Sequence, residues 1–212
     1  ADPGVYIRSM ATRGAHGGLA HAALDAIDVL DAAHYDVVLV ETVGVGQDDS
    51  DISGAVHTTV LVSVPGLGDT VQSIKAGLLE TADVHVVNKA DRPESSQVVN
   101  DITSLISLVK ARRDSEWAPP VVSTSAEKGT GIEELLAAIA KHRAHLEESD
   151  EGARRRRALM AMRIRKAAER LFMRWLEREA DAAQLETLIG DVAERLKSPH
   201  AAAAELLKKL GW

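Results

Sequence analysis

Val84-His85-Val86-Val87-Asn88-Lys89-Ala90-Asp91 sets a short β-branched run directly against four residues rich in polar chemistry. A continuous run of this kind, without alternation of polar and apolar residues, suits a strand covered on both faces. The same pattern recurs at Val5-Tyr6-Ile7, Val37-Val38-Leu39-Val40, Val60-Leu61-Val62-Ser63-Val64 and Val121-Val122-Ser123. Helical periodicity fills the intervals at 17–33, 71–80, 95–112 and 131–146, and Thr130-Gly131-Ile132-Glu133 has the spacing of a capping box. Strand–helix alternation predicts an α/β fold with a mostly parallel, doubly wound sheet. Such sheets bind ligands in the loops at the carboxyl ends of their strands.

Three of those loops carry chemistry. After Val37–Val40 comes Glu41-Thr42-Val43-Gly44-Val45-Gly46-Gln47. An acid at a strand end can hold Mg²⁺, and a following glycine lets a backbone N–H approach a γ-phosphate. A buried Glu in an ordinary glycine-rich turn is the plainer alternative. After Val84–Val87, the carboxylate of Asp91 can accept the paired N1–H and 2-amino donors of guanine, a pair that adenine does not present. Asn88 can bond the base edge or tie loops together, and the Lys89 stem can cover a ring face. After Val121–Ser123, Thr124-Ser125-Ala126-Glu127-Lys128-Gly129 is small enough for backbone amides to reach a purine O6. Each signal is weak alone. E-x-x-G, N-K-x-D and S-A at successive strand ends, in that order, read as a GTP-binding domain.

Two more loops are glycine-rich. Arg8 and Arg13 lie in Arg8-Ser9-Met10-Ala11-Thr12-Arg13-Gly14, ahead of Gly17-Gly18, where arginines can meet phosphate oxygens or simply face solvent. Pro65-Gly66-Leu67-Gly68-Asp69 runs on to Lys75 and is either a mobile strand-end loop or a static turn.

The chain has 212 residues and a formal charge of −7. Residues 1–150 hold 11 basic and 23 acidic side chains, net −12, whereas 151–178 hold 10 basic and 3 acidic, net +7. This break predicts a domain over 1–150 and a helical extension over 151–212. In the extension Ile164, Ala168, Leu171 and Trp175 form one apolar stripe, and Leu185, Leu188, Ile189, Val192 and Leu196 a second. Ser198-Pro199 opens a third helix as N-cap and first helical position. Zero cysteines exclude disulfides and thiolate chemistry. His142 and His145 share a helix face without a third ligand in view and read as surface residues.

The stretches Ile7–Gly14, Gly17–Ala20, Val40–Gln47, Val64–Asp69 with Ile74–Gly77, and Val87–Arg92 resemble the MeaB/ArgK family of GTPases, associated with adenosylcobalamin-dependent methylmalonyl-CoA mutase. E-T-V-G-V-G-Q is the most family-specific of them, and the likeness runs through the helical tail. The resemblance implies a P-loop GTPase fold and a homodimer formed through the tail. It also implies a GTP-hydrolysing chaperone that gates cofactor loading and protects the mutase. On this chain it assigns Glu41 to Mg²⁺, Gly44 and Gln47 to the second, catalytic switch, and Asn88, Lys89 and Asp91 to guanine. The backbone of Ser125, Ala126 and Glu127 would close over the base. Arg8 and Arg13 would lie near the first switch, with Asp69 and Lys75 in a third that relays nucleotide state to the mutase.

The departures from the family pattern matter as well. No G-x-x-x-x-G-K-[ST] occurs in the 212 residues, so the reading expects a C-terminal portion of a longer GTPase. Asp48-Asp49 stands where the family has Ser-Glu. The expected partners are GTP or GDP with Mg²⁺, the mutase and a second copy, without nucleic acid or membrane. The expected location is the cytoplasm, or the mitochondrial matrix in a eukaryote. The alternative is a non-catalytic interaction module that uses the helical tail and switch loops. The run Arg154-Arg155-Arg156-Arg157 reads as a solvated face or a contact to the acidic domain, with binding to nucleic acid or acidic lipid the competing reading.

Overall fold

The computed structural model describes residues 2, 4–10, 21–42, 54–66, 81–110 and 116–209. The regular elements in chain order are α1 (His21–Ala32), β1 (Val60–Ser63), β2 (Val84–Val87), α2 (Ser95–Lys110), β3 (Val121–Ser123), α3 (Ile132–Glu148), α4 (Asp150–Glu179), α5 (Ala182–Ala193) and α6 (Pro199–Lys209). The chain divides into two compact units, Ala1–Met160 and Ala161–Trp212.

In the first unit β1, β2 and β3 lie side by side in that order, all parallel. Their β-branched residues serve both faces. Val84 and Val86 pack with Ala138 of α3, joined by Val60, Val122, Leu135 and Ile139. Val87 packs on the other face with Val98 and Ile102 of α2, joined by Leu61 and Val121. The register, Val62 against Val86 against Val122 and Leu61 against His85 against Val121, produces this alternation directly. The result is an α/β fold with helices on both faces of a parallel sheet.

Four expectations are corrected. Val5–Ile7 and Val37–Val40 form no strand: Ile7 is 87% exposed and Leu39 90% exposed. Apolar composition makes a strand possible, but ladder hydrogen bonds to a neighbour make it form, and the described residues give these two runs none. The capping box does not form either. Thr130 is tied by its backbone to Ser125 in both directions, and the N-cap of α3 is Gly131 at φ 76°, with no side-chain cap. Finally, His142 is fully buried and His145 largely so, because that face of α3 turns toward Trp117 and Asp83 rather than to solvent.

The close seating of α4 on α3 needs Gly152. A Cβ there would stand 1.6 Å from the Leu146 carbonyl oxygen. Along α4 the inward residues Gly152, Arg155 and Leu159 follow helical spacing, while Arg154, Arg156 and Arg157 are exposed.

In the second unit Leu188, Ala202 and Leu206 form a core with Leu176, Ala180 and Val192. Asp181 caps α5 by accepting the Ala183 N–H at 3.0 Å, and Ser198 Oγ accepts from Ala201 N–H at 3.2 Å at the head of α6, as its sequence position predicts. Lys197 joins Asp191 at 3.0 Å and Glu205 at 2.7 Å across the α5–α6 connection. Among the described residues no helix is long and apolar enough to cross a membrane.

Candidate functional site

The carboxyl ends of β2 and β3 bring the two polar loops together. Backbone pairing carries past the strands: Asn88 N–H donates to Ser63 O at 2.8 Å, Thr124 N–H to Val87 O at 2.9 Å, and Ala90 N–H to Thr124 O at 2.9 Å. Asn88 is thereby fixed facing the second loop. Its Oδ1 accepts from the Ala126 N–H at 3.1 Å and from the Thr124 hydroxyl at 3.3 Å. Lys89 takes φ 58°, a left-handed conformation that costs a non-glycine residue about 1 kcal/mol or more. This bend lets the chain double back so that Asp91 and Asn88 face the same loop. Arg92 N–H then closes the turn on Lys89 O at 3.0 Å, and Ser95 Oγ–H donates to Ala90 O at 3.0 Å at the head of α2.

Asp91 is the centre of the arrangement. The buried Ser125 hydroxyl donates to its Oδ1 at 2.8 Å, and Lys128 Nζ stands 3.9 Å from its Oδ2. The Ser125 hydroxyl, then the residue's own backbone N–H, with lesser help from the charges of Lys128 and Arg92, hold the carboxyl below the usual carboxylate range. Asp91 is therefore an ionised, oriented acceptor. One oxygen is anchored from below while the side chain remains 32% exposed. Such a carboxylate complements a group that presents two adjacent N–H donors.

The loop after β3 is held just as firmly. Ser125 and Thr130 exchange backbone hydrogen bonds at 2.9 and 3.2 Å, and Lys128 N–H closes on Ser125 O at 3.1 Å. Gly131 makes this turn possible. A Cβ on it would stand 2.0 Å from Ser123 O and 3.0 Å from Thr124 Cα. Arg92 Nη1 reaches Pro65 O at 3.5 Å, touching the loop that follows β1.

Of the residues singled out in the sequence, the structure brings Asn88, Asp91, Ser125 and Ala126 into direct contact, with Lys89 in the same loop. Glu127 follows in the turn, exposed. Glu41 and Arg8 are exposed in irregular segments, and among the described residues no hydrogen bond or ion pair joins them to this cluster. Arg13, Gly44, Gln47, Asp69 and Lys75 lie outside the described residues. Thr124, Lys128 and Gly131 escaped the sequence reading as site residues, although the fixed glycine before a helix was a usable signal. Among the described residues no group of three or more His, Asp or Glu side chains could hold a metal ion. Glu41 offers a single carboxylate, so the described residues form no Mg²⁺ site of their own.

Known proteins resemble this chain over much of its length. The family described as methylmalonyl Co-A mutase-associated GTPase MeaB matches residues 1–180. A GTPase-named protein of Pyrococcus horikoshii is 43% identical over 210 residues, covering 99% of this chain and 66% of that protein. The mouse protein named methylmalonic aciduria type A homolog, mitochondrial, is 36% identical over 137 residues, covering 63% of this chain and 33% of its own length. A crystal structure of a LAO/AO transport system kinase superposes with a TM-score of 0.61 at 26% identity, covering 90% of this chain and 62% of that one. The chain thus spans about two thirds or less of the length of these relatives.

Proposed function

We infer the function from a premise that these matches establish: the chain belongs to the family of methylmalonyl-CoA mutase-associated GTPases. We propose that Asn88, Lys89 and Asp91, backed by Thr124, Ser125 and Ala126, read the guanine of GTP and GDP. The protein containing this chain then hydrolyses GTP as a chaperone of an adenosylcobalamin-dependent methylmalonyl-CoA mutase, gating cofactor loading and protecting the mutase. The observation that carries the reading is the anchored carboxylate of Asp91. Ser125 holds Oδ1 at 2.8 Å while the side chain stays 32% exposed.

Each residue has a separate task. Asp91 accepts the N1–H and 2-amino donors of guanine, and its ionised state keeps it an acceptor throughout the neutral range. Asn88 locks the two loops at their base through Ala126 and Thr124. Lys89 leaves the strand in a left-handed bend that lets its aliphatic stem cover a ring face. Gly44 and Gln47 belong to the second, catalytic switch, Arg8 and Arg13 flank the first, and Asp69 and Lys75 relay nucleotide state. Glu41 is the carboxylate assigned to the nucleotide's Mg²⁺, whose role when bound is to neutralise phosphate charge. The helical extension forms the homodimer, a role supported by the exposed apolar residues Ile164, Leu171, Ile189 and Leu196. The protein works in the cytoplasm, or in the matrix of mitochondria.

Asp91→Asn tests the base reader. In the complete GTPase, asparagine presents one acceptor and one donor, which matches xanthine and not guanine. Preference should move from GTP toward XTP by at least about 100-fold, the scale of a lost pair of hydrogen bonds to a charged group. Unchanged GTP selectivity would reject the assignment.

A further inference from the structure

β2 is held at both ends. Its carboxyl end carries the base reader, and its amino end is Asp83, only 5% exposed. Asp83 N–H donates to Thr59 O at 2.9 Å, and its Oδ2 accepts the Thr59 N–H at 2.7 Å. Its carbonyl accepts Trp117 Nε1–H at 2.8 Å. From α4, Arg155 donates Nη1–H to Oδ1 at 2.8 Å and Nη2–H to Oδ2 at 2.7 Å, a two-pronged clasp on a buried carboxylate. From α3, His142 Nε2 stands 3.5 Å from Oδ1 while its Nδ1 meets Thr58 Oγ1 at 2.9 Å.

The reciprocal bonds between Asp83 and Thr59 determine which residue of β1 faces which residue of β2. A slip of one residue would turn every β2 side chain to the wrong face of the sheet. The register that starts with Val60 against Val84 ends with Ser63 against Val87, and the next bond is Asn88 N–H to Ser63 O. The base reader therefore inherits its position from the opposite end of the strand.

We propose that Asp83 and Arg155 are positioning residues for the base-reading loop: their buried ion pair holds β2 in register and ties that register to the seating of the first turns of α4. The inference rests on residues 88–91 being the base reader. It also gives Arg155 a job that sets it apart from its exposed neighbours Arg154, Arg156 and Arg157.

The neighbouring histidine makes the proposal testable. The charged and titratable groups facing His142 are Asp83 ahead of β2, Arg155 and Glu151 of α4, and His145 of its own helix. Burial first, then the repulsion of Arg155 and His145, holds His142 below the ordinary histidine range against the attraction of Asp83 and Glu151. Replacing Arg155 by methionine removes that repulsion and leaves Asp83 as an uncompensated buried charge. Protonation of His142 then restores the balance. In that variant the compensation of Asp83 becomes pH-dependent, supplied from α3 by His142 in acid and lost in base.

The experiment follows the amide resonances of Asn88 and Ala126 in the 212-residue chain from about pH 5 to 8, the range in which a histidine changes charge. No nucleotide is added. In the native chain both resonances should stay in place over that range. In Arg155→Met they should be displaced at the basic end and return toward their native positions on acidification. Adding His142→Gln should abolish the return. Displacement in Arg155→Lys should be smaller, since a point charge cannot reproduce the fork. If the methionine variant unfolds at the basic end, the lysine variant carries the test, with Ser104 on the exposed face of α2 as the resonance that should not move. Unmoved Asn88 and Ala126 resonances in Arg155→Met, or in Arg155→Lys where the methionine variant unfolds, would overturn the proposal, as would a return that survives His142→Gln. If Asp91→Asn keeps its guanine preference while Asn88 still responds to Arg155, the base reading fails and the register coupling stands.

Discussion

Gly131→Ala is the sharpest perturbation of the candidate site, and Gly129 supplies its control. Both glycines lie in left-handed conformations, φ 76° and 68°, so an alanine at either pays about 1–2 kcal/mol for its backbone alone. They differ in what the new methyl meets. At Gly129 nothing lies within 4 Å, whereas at Gly131 the Cβ would stand 2.0 Å from Ser123 O and 3.0 Å from both Ser123 C and Thr124 Cα. These are backbone atoms of the strand end that carries Ser125, so no flexible side chain can move aside. Relief requires about 1 Å of displacement between β3 and the head of α3, where Val122 and Leu135 meet in one packed core. Added to the backbone cost, this brings Gly131→Ala to roughly 3–5 kcal/mol, against 1–2 for Gly129→Ala. In a chain of this size the loss corresponds to a melting temperature lower by about 6–20 °C for the first and about 2–8 °C for the second. Thermal unfolding followed by circular dichroism measures both. Asparagine tolerates left-handed backbone, so Gly129→Asn should recover most of the loss and Gly131→Asn should not. Equal losses at the two positions, or rescue of position 131 by asparagine, would refute the close-approach argument.

Gly152→Ala reverses the usual sign of a helix substitution. Alanine ordinarily gains about 0.5–1 kcal/mol over glycine inside a helix, but here its Cβ would stand 1.6 Å from Leu146 O, so thermal unfolding should show a loss of roughly 3 kcal/mol or more. Acid sensitivity follows from His142, whose burial places its folded pKa below the ordinary 6.5. The unfolded chain takes up that proton first, so stability is full above 6.5 and falls as pH drops below it toward the folded value. In urea titrations at stepped pH, His142→Gln should flatten that fall, and an unchanged slope would reject the assignment. The 212-residue chain by itself has no phosphate-cradling G-x-x-x-x-G-K-[ST] sequence, and residues 1–150 carry net −12. Its Mg²⁺–GTP affinity should be weaker than about 100 μM by isothermal titration, and micromolar binding would contradict the electrostatic argument.

The legible parts of the fold were those in which local composition and tertiary setting agree. Val60–Ser63, Val84–Val87 and Val121–Ser123 are β-branched, short and buried between helices, and they pair as a parallel sheet. Val37–Val40 has the same composition, yet Val37 is 71% exposed and no ladder forms there. Composition states what a segment tolerates on its faces and nothing about what lies along its edge. The site divides in the same way. Asn88 and Asp91 were visible because their side-chain chemistry follows a strand end at a readable spacing, and Ser125 only as a small residue whose backbone could reach a base; its hydroxyl on Asp91 exists only once the two loops meet. Thr124 and Gly131 act through a hydroxyl on Asn88 and a missing Cβ beside Ser123, contacts that exist only after β2 and β3 pair and α3 docks.

The four arginines at 154–157 show how a charge sum can mislead. Net +7 over 151–178 against net −12 over 1–150 suggests a diffuse attraction between segments, shared among many side chains and screened by salt. The structure concentrates it instead. Helical spacing turns Gly152, Arg155 and Leu159 inward together, so one guanidinium reaches one buried carboxylate in two bonds of 2.8 and 2.7 Å, while its three neighbours face solvent. Buried pairs are screened far less than exposed ones, and breaking one strands a charge away from water. Added salt should therefore leave this ion pair almost untouched, whereas Arg155→Met breaks it. The spacing that selects Arg155 was present in the sequence all along: a glycine and a leucine on the same helical face, three residues before it and four after.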